Sequence, residues 1–211
     1  MATSLTQHDL EAGLRQLGLL RGSAVEVHSS LSSFGYVAGG AAAVVDALME
    51  VVGPPGAILM SAYPVTPALP LSEAEIARGI TWKVRILPEG SREKTGLGAV
   101  VEQFQKRPGV VLGSGLHRVA AWGQEAEIYA REGYRRLLEV DGWALLMGVG
   151  IDRLSSMHQA EEITLPEKIA ALLRIPEDIC RDYPPDQWGV GYGGTPEDAA
   201  ASRMRLSAKG S

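Results

Sequence analysis

The sequence predicts a single α/β domain: a central mixed, partly parallel sheet flanked by helices. Three observations carry that expectation. Strand, crossover helix and strand follow one another between Ala24 and Met60, an order that forces parallel pairing. With 211 residues, 45% of them hydrophobic, the chain can bury one sizeable core and lies far from the charge-rich composition of disordered chains. No repeat or low-complexity tract interrupts it.

Thr6 to Leu17 reads as an amphipathic helix in which Leu10, Leu14 and Leu17 share a face and Gly18 closes the end. Ala24-Val25-Glu26-Val27-His28 is the first strand. A Ser- and Gly-rich stretch, Ser29 to Gly40, leads into an apolar helix from Ala41 to Val52. Gly53-Pro54-Pro55-Gly56 is a turn, and Ala57 to Met60 the second strand. Gly98 to Lys106 should be helical, Val110 to Leu112 and Val119 to Trp122 extended, and Trp143 to Gly148 a buried strand. Arg153 to Thr164 is the next expected helix, stopped near Pro166. The charges and the Pro88-Glu89-Gly90 turn within Leu71 to Lys94 suggest a loop-rich insertion over one end of the sheet. Residues 1–175 form the expected domain. Residues 176–211, rich in Pro, Gly and Tyr at first and with a short helix expected from Pro196, form a flap or extension of it.

The net charge of −5 and pI near 5.4 argue against a nucleic-acid partner and suit a cationic small molecule. One cysteine, Cys180, excludes an intramolecular disulfide and a Cys-based zinc site. The first twenty residues mix Asp9, Glu11 and Arg15 with leucines, unlike a secretory signal. No apolar run approaches the roughly twenty residues needed to span a bilayer. A cytoplasmic protein is expected, with its oligomeric state left open.

Two segments could carry chemistry. In Val27-His28-Ser29-Ser30-Leu31-Ser32-Ser33-Phe34-Gly35 a histidine closes a buried strand, the place where open α/β sheets hold ligands. The small residues behind it can present backbone N–H groups to phosphates or to a developing oxyanion. The structural alternative is a serine-rich loop that caps a helix, with His28 hydrogen-bonded inside. In the second segment, Gly148 to Glu162, a strand ends in a Gly-containing loop before a helix carrying His158, with Glu161 and Glu162 three and four residues on. A carboxylate on the same helix face fixes an imidazole's tautomer and raises its basicity. Asp152 is either the N-cap of that helix or turned toward His158. The alternative here is a surface His–Glu pair. Two histidines and a carboxylate can also bind zinc or iron, but no close ligand spacing supports that. A Ser–His–Asp hydrolase lacks its G-x-S-x-G elbow. His8 falls on the first helix, and His117 precedes the Val119 strand.

At these segments the chain resembles the aminoglycoside 3-N-acetyltransferase family, acetyltransferases unrelated to the GNAT fold. The likeness runs from about Leu10 to Thr164 through five blocks in the family's order: VHSSLSSFGYVAGG, GAILMSAYP, GLGAVVEQFQKRPGVV, HRVAAWG and LLMGVGIDRLSSMHQAEE. It implies the family's fold, acetyl-CoA as cosubstrate, no metal, and direct transfer to an amine of an aminoglycoside. The family's serine loop falls on Ser29, Ser30, Leu31 and Ser32, implying contact with the CoA arm. Its strand-end histidine falls on His28, its general base on His158, that base's carboxylate on Glu161, and an acidic position on Asp152.

Three departures bear on the substrate. Family members run longer, and much of their middle insertion and C-terminal part has no counterpart here. Their H-P-x-x-S reads Ser114-Gly115-Leu116-His117-Arg118, with Arg118 in place of the serine. From Leu165 onward no correspondence is found. The rival expectations are an acetyltransferase for another small amine and a silent protein that only binds CoA or a cationic ligand.

Overall fold

The computed structural model describes residues 4–88, 95–115, 117–157, 167 and 174–194. The chain divides into two compact units, Met1–Tyr63 with Leu97–Ile163, and Pro64–Gly96 with Thr164–Ser211.

The first unit is a three-layer sandwich. Helix α1 spans Gln7–Gln16, opened by a capping box in which Thr6 and Asp9 satisfy each other's backbone N–H. Leu10 and Leu14 enter the core, whereas Leu17 falls beyond the last turn and is 66% exposed, so the expected three-leucine face has two members. Strand β1 (Ala24–Ser29), helix α2 (Gly40–Val52) and strand β2 (Ala57–Ser61) form the expected βαβ unit, and β1 and β2 pair in parallel. Helix α2 stops at Gly53, whose φ of 64° a side chain would strain.

Further strands extend the sheet at both sides. Labelling in chain order, α3 (Glu73–Ala77) and β3 (Ile80–Arg85) belong to the second unit; α4 is Ala99–Phe104, β4 Val111–Leu112 and β5 Val119–Gly123. Helices α5 (Ala126–Glu132) and α6 (Tyr134–Glu139) precede β6, Trp143–Met147. The order is β4-β5-β2-β1-β6, parallel across β2-β1-β6 and antiparallel at β2-β5 and β5-β4. The mixed sheet is therefore as the sequence predicts. Strand β6 was expected to be buried, yet it is an edge, with Trp143 49% exposed. Val25, Val27, Ile58 and Met60 pack with α1, α2 and α4 on one face; Leu59, Val119 and Ala121 pack with Tyr129, Tyr134 and Leu137 on the other. Covered on both sides, β1 has no solvent face.

In place of the start of the α-helix expected from Arg153, Ile151–Arg153 form one 3-10 turn and residues 155–157 another. From His158 to Thr164 that expected helix lies outside the described residues.

The second unit corrects one expectation. Leu71 to Lys94 holds helix α3 (Glu73–Ala77) and strand β3 (Ile80–Arg85) where loops were expected. The expected flap after Pro176 contains helix α7 (Glu177–Asp182) and strand β7 (Trp188–Tyr192), which pairs antiparallel with β3. Arg78 holds Asp178 and Asp182 across that union, each at 2.9 Å. The helix expected from Pro196 lies outside the described residues.

Candidate active site

Alternation along β1 puts Glu26 and His28 on one face, turned toward α5 and α6 with the neighbouring residues Leu59 and Ser61 of β2. Glu26 is fully buried. Its Oε1 lies 2.5 Å from His28 Nε2, and the His28 side chain keeps 10% exposure. The backbone N–H of Ser156 donates to the same Oε1 at 3.0 Å. The Ser155 N–H points at His28 Nε2 from 3.2 Å. One nitrogen cannot donate to a carboxylate and accept from an amide together. The shorter, charge-assisted contact decides it: Nε2 carries the proton and donates to Glu26. Nδ1 then has no hydrogen-bond partner among the described residues.

A second chain of hydrogen bonds borders this pair. Ser61 Oγ donates to Ser155 Oγ at 2.8 Å, so its 2.7 Å contact with Tyr134 must be a bond donated by the phenol. Burial pushes the Tyr134 hydroxyl far above its ordinary range and keeps it protonated for that role. Strand β1, strand β2, helix α6 and the loop after β6 thus meet in one polar cluster at the carboxyl ends of the parallel strands, where this fold class holds ligands.

The loop after β1 is more occupied than its sequence suggests. The Ser30 N–H donates to Met147 O, Ser33 Oγ donates to Gly148 O, and the hydroxyls of Ser30 and Ser32 lie 3.1 Å apart. Gly148 has φ 72°, and a Cβ there would stand 2.5 Å from that of Ser33, so glycine is what lets the two loops close. Only the N–H groups of Leu31 and Ser32 are left without a bond among the described residues in the 3-10 turn Leu31–Phe34. Ser29 ends β1, paired with Met147.

Of the other expected residues, Asp152 sits on the 3-10 turn after β6, largely exposed and 3.2 Å from Arg153. His158, Glu161 and Glu162 lie outside the described residues. Glu26, Ser61, Tyr134 and Ser155 were not singled out from sequence. For Glu26 the signal was there: a carboxylate two residues before a candidate histidine on a strand. His117 meets the Tyr63 ring edge-on at 5.3 Å, and Arg118 Nε donates to Ala62 O at 2.8 Å. Both line a pocket of about 140 Å³ that reaches Tyr134. Among the described residues no three His, Cys, Asp or Glu side chains gather as metal ligands, and no helix is long and apolar enough to cross a membrane.

A model of the aminoglycoside 3-N-acetyltransferase family matches residues 27–175, so the correspondence runs past Leu165. A prophage-derived aminoglycoside N(3')-acetyltransferase-like protein of Bacillus subtilis (strain 168) is 30% identical over 181 residues, 74% of this chain and 64% of that one. Among solved structures, AAC-VIa bound to sisomicin superposes with a TM-score of 0.63 at 28% identity, over 78% of this chain and 67% of that one. AAC-IIIb in its binary complex with CoASH gives 0.61 at 25% identity, over 78% and 67%. The chain spans 60–64% of the length of the curated relatives it matches first.

Proposed function

The chain belongs to the aminoglycoside 3-N-acetyltransferase family, and on that premise we propose that it moves an acetyl group from acetyl-CoA to an aminoglycoside amine, the 3-amino group of 2-deoxystreptamine. One observation supports this most: His28 stands at the carboxyl end of β1, where this fold class holds ligands, bonded to the buried Glu26, whose same oxygen accepts the Ser156 N–H of the loop after β6.

His158 takes a proton from the acceptor's ammonium group, freeing the lone pair that attack requires, and Glu161 orients the ring and steadies its charge. The amine nitrogen bonds to the thioester carbonyl carbon, and the oxygen's gathering charge is met by His28 and the N–H groups of Leu31 and Ser32. As the C–S bond breaks, its electron pair leaves on the CoA sulfur; no acyl-enzyme forms. The CoA arm lies along Ser29, Ser30, Leu31 and Ser32. Asp152, Glu161 and Glu162 supply negative charge for a polycationic acceptor. The chemistry uses this chain's own side-chain and backbone groups and draws on a cytoplasmic acetyl-CoA supply.

The test follows thiol release from acetyl-CoA across a panel of aminoglycosides. His158→Ala should lower kcat by about 10²- to 10⁴-fold and leave CoA binding intact. Near-normal turnover in that variant overturns the assignment of the base. Arg118, where the family's pattern has a serine, favours a second reading: the same chemistry on a different small amine. Thiol release with such an amine, and with no 2-deoxystreptamine compound, would establish it.

A further inference from the structure

We propose that Glu26 is a positioning residue for acetyl transfer: it grips His28 through Nε2 and makes Nδ1 the nitrogen presented to the thioester carbonyl. The inference rests on the acetyltransferase reading for its catalytic part and on geometry alone for the grip.

The geometry is specific. Residues two apart on a strand share a face, and the Glu26 Oε1 to His28 Nε2 distance is 2.5 Å. A second donor, the Ser156 N–H, keeps Oε1 in place. Glu26 Oε2 is buried and has no hydrogen-bond partner among the described residues. A buried oxygen left in that state is destabilising, and an apolar side chain on a strand covered on both faces would avoid it. The carboxylate is therefore placed for what it does to the imidazole. The nitrogens of the ring point apart, so fixing one aims the other. With Nε2 donating to Glu26, an Nδ1–H that donates to the carbonyl oxygen makes the ring an imidazolium. A buried anion beside it offsets that charge, the role a carboxylate plays behind the histidine of hydrolytic triads. Glu26 itself forms and breaks no bond with substrate.

Glu26→Gln tests this in the full chain, because the amide keeps the shape and an acceptor oxygen but removes the charge. His28→Ala should lower kcat by about 10²- to 10³-fold, the effect of losing one oxyanion donor, and Glu26→Gln by about tenfold or more within that bound. The KM for acetyl-CoA and the thermal midpoint should hold. In the His28→Ala background Glu26→Gln should add nothing, since its effect passes through the ring. Unchanged turnover in Glu26→Gln, or an equal loss in the presence and absence of His28, overturns the proposal. Nitrogen chemical shifts of labelled histidine decide the grip without turnover: His28 Nε2 should read as protonated and move in Glu26→Gln. If no aminoglycoside releases thiol, the acetyltransferase reading fails and those shifts alone judge the pairing; shifts identical in the two proteins sink it.

Discussion

Two carboxylates, one in each unit, show what separates a structural acid from a functional one. Glu75 on α3 is satisfied at both oxygens: Lys83 and Tyr183 bond Oε1, while the backbone N–H and hydroxyl of Ser72 bond Oε2 at 2.7 and 2.9 Å. These contacts, Lys83 first, hold its pKa at about 2 against an ordinary 4.5. They tie α3 to β3 and to the segment leading into β7. Glu26 is more deeply buried and yet only half satisfied. Fully bonded polar clusters rigidify a fold, whereas a buried polar atom left without a partner calls for another explanation.

The largest expected effect breaks the comparison open. Glu75→Met leaves the Lys83 ammonium, the Tyr183 hydroxyl and the cap of α3 without their acceptor, and should lower stability by about 3 kcal/mol. Glu26→Met should change it by no more than about 1 kcal/mol, because the unpaired oxygen goes with the carboxylate and the freed Nε2 can accept the Ser155 N–H instead. Denaturant unfolding of both variants compares them directly. A Glu26→Met loss as large as that of Glu75→Met would make Glu26 structural.

Acid sharpens the contrast next. Because the folded-state pKa of Glu75 lies below its unfolded value, the stability it contributes is complete above about pH 4.5 and drains away as pH falls toward 2. Wild-type unfolding free energy measured at intervals from pH 5 to pH 3 should fall more steeply than that of Glu75→Gln. Parallel curves would show that the ion pair does not carry the linkage.

The same two residues mark what the sequence could disclose. The βαβ unit was legible because Val25, Val27, Ile58 and Met60 alternate in short apolar runs around a helix with caps and turns in place. Glu26 occupies the polar beat of that alternation, which ordinarily signals a solvent face; only the helices on both sides of β1 remove the solvent. The bonds of Glu75 join residues 8 and 108 positions away, and the β3–β7 pairing joins segments about as distant. No local period announces such pairings, so a strand and its partner read as an insertion and a flap. His28 was found from its place at a strand end. Its tautomer depends on Glu26, and the Ser156 N–H that steadies that carboxylate arrives only when the loop after β6 folds against it.

Asp152 should give the smallest effect, and one that separates charge from architecture. It lies exposed on its 3-10 turn against Arg153, and such surface pairs contribute about 0–1 kcal/mol. Asp152→Asn should therefore leave the unfolding midpoint unchanged within error. If its charge helps to gather a polycationic acceptor, the KM for aminoglycoside should rise about two- to fivefold with kcat preserved, the mark of an interaction made equally with ground and transition states. Raising the salt concentration should erase that difference, because an exposed charge acts through screened solvent. A fall in kcat instead would move Asp152 from the rim of the site to its reacting centre, beside the histidine that Glu26 holds.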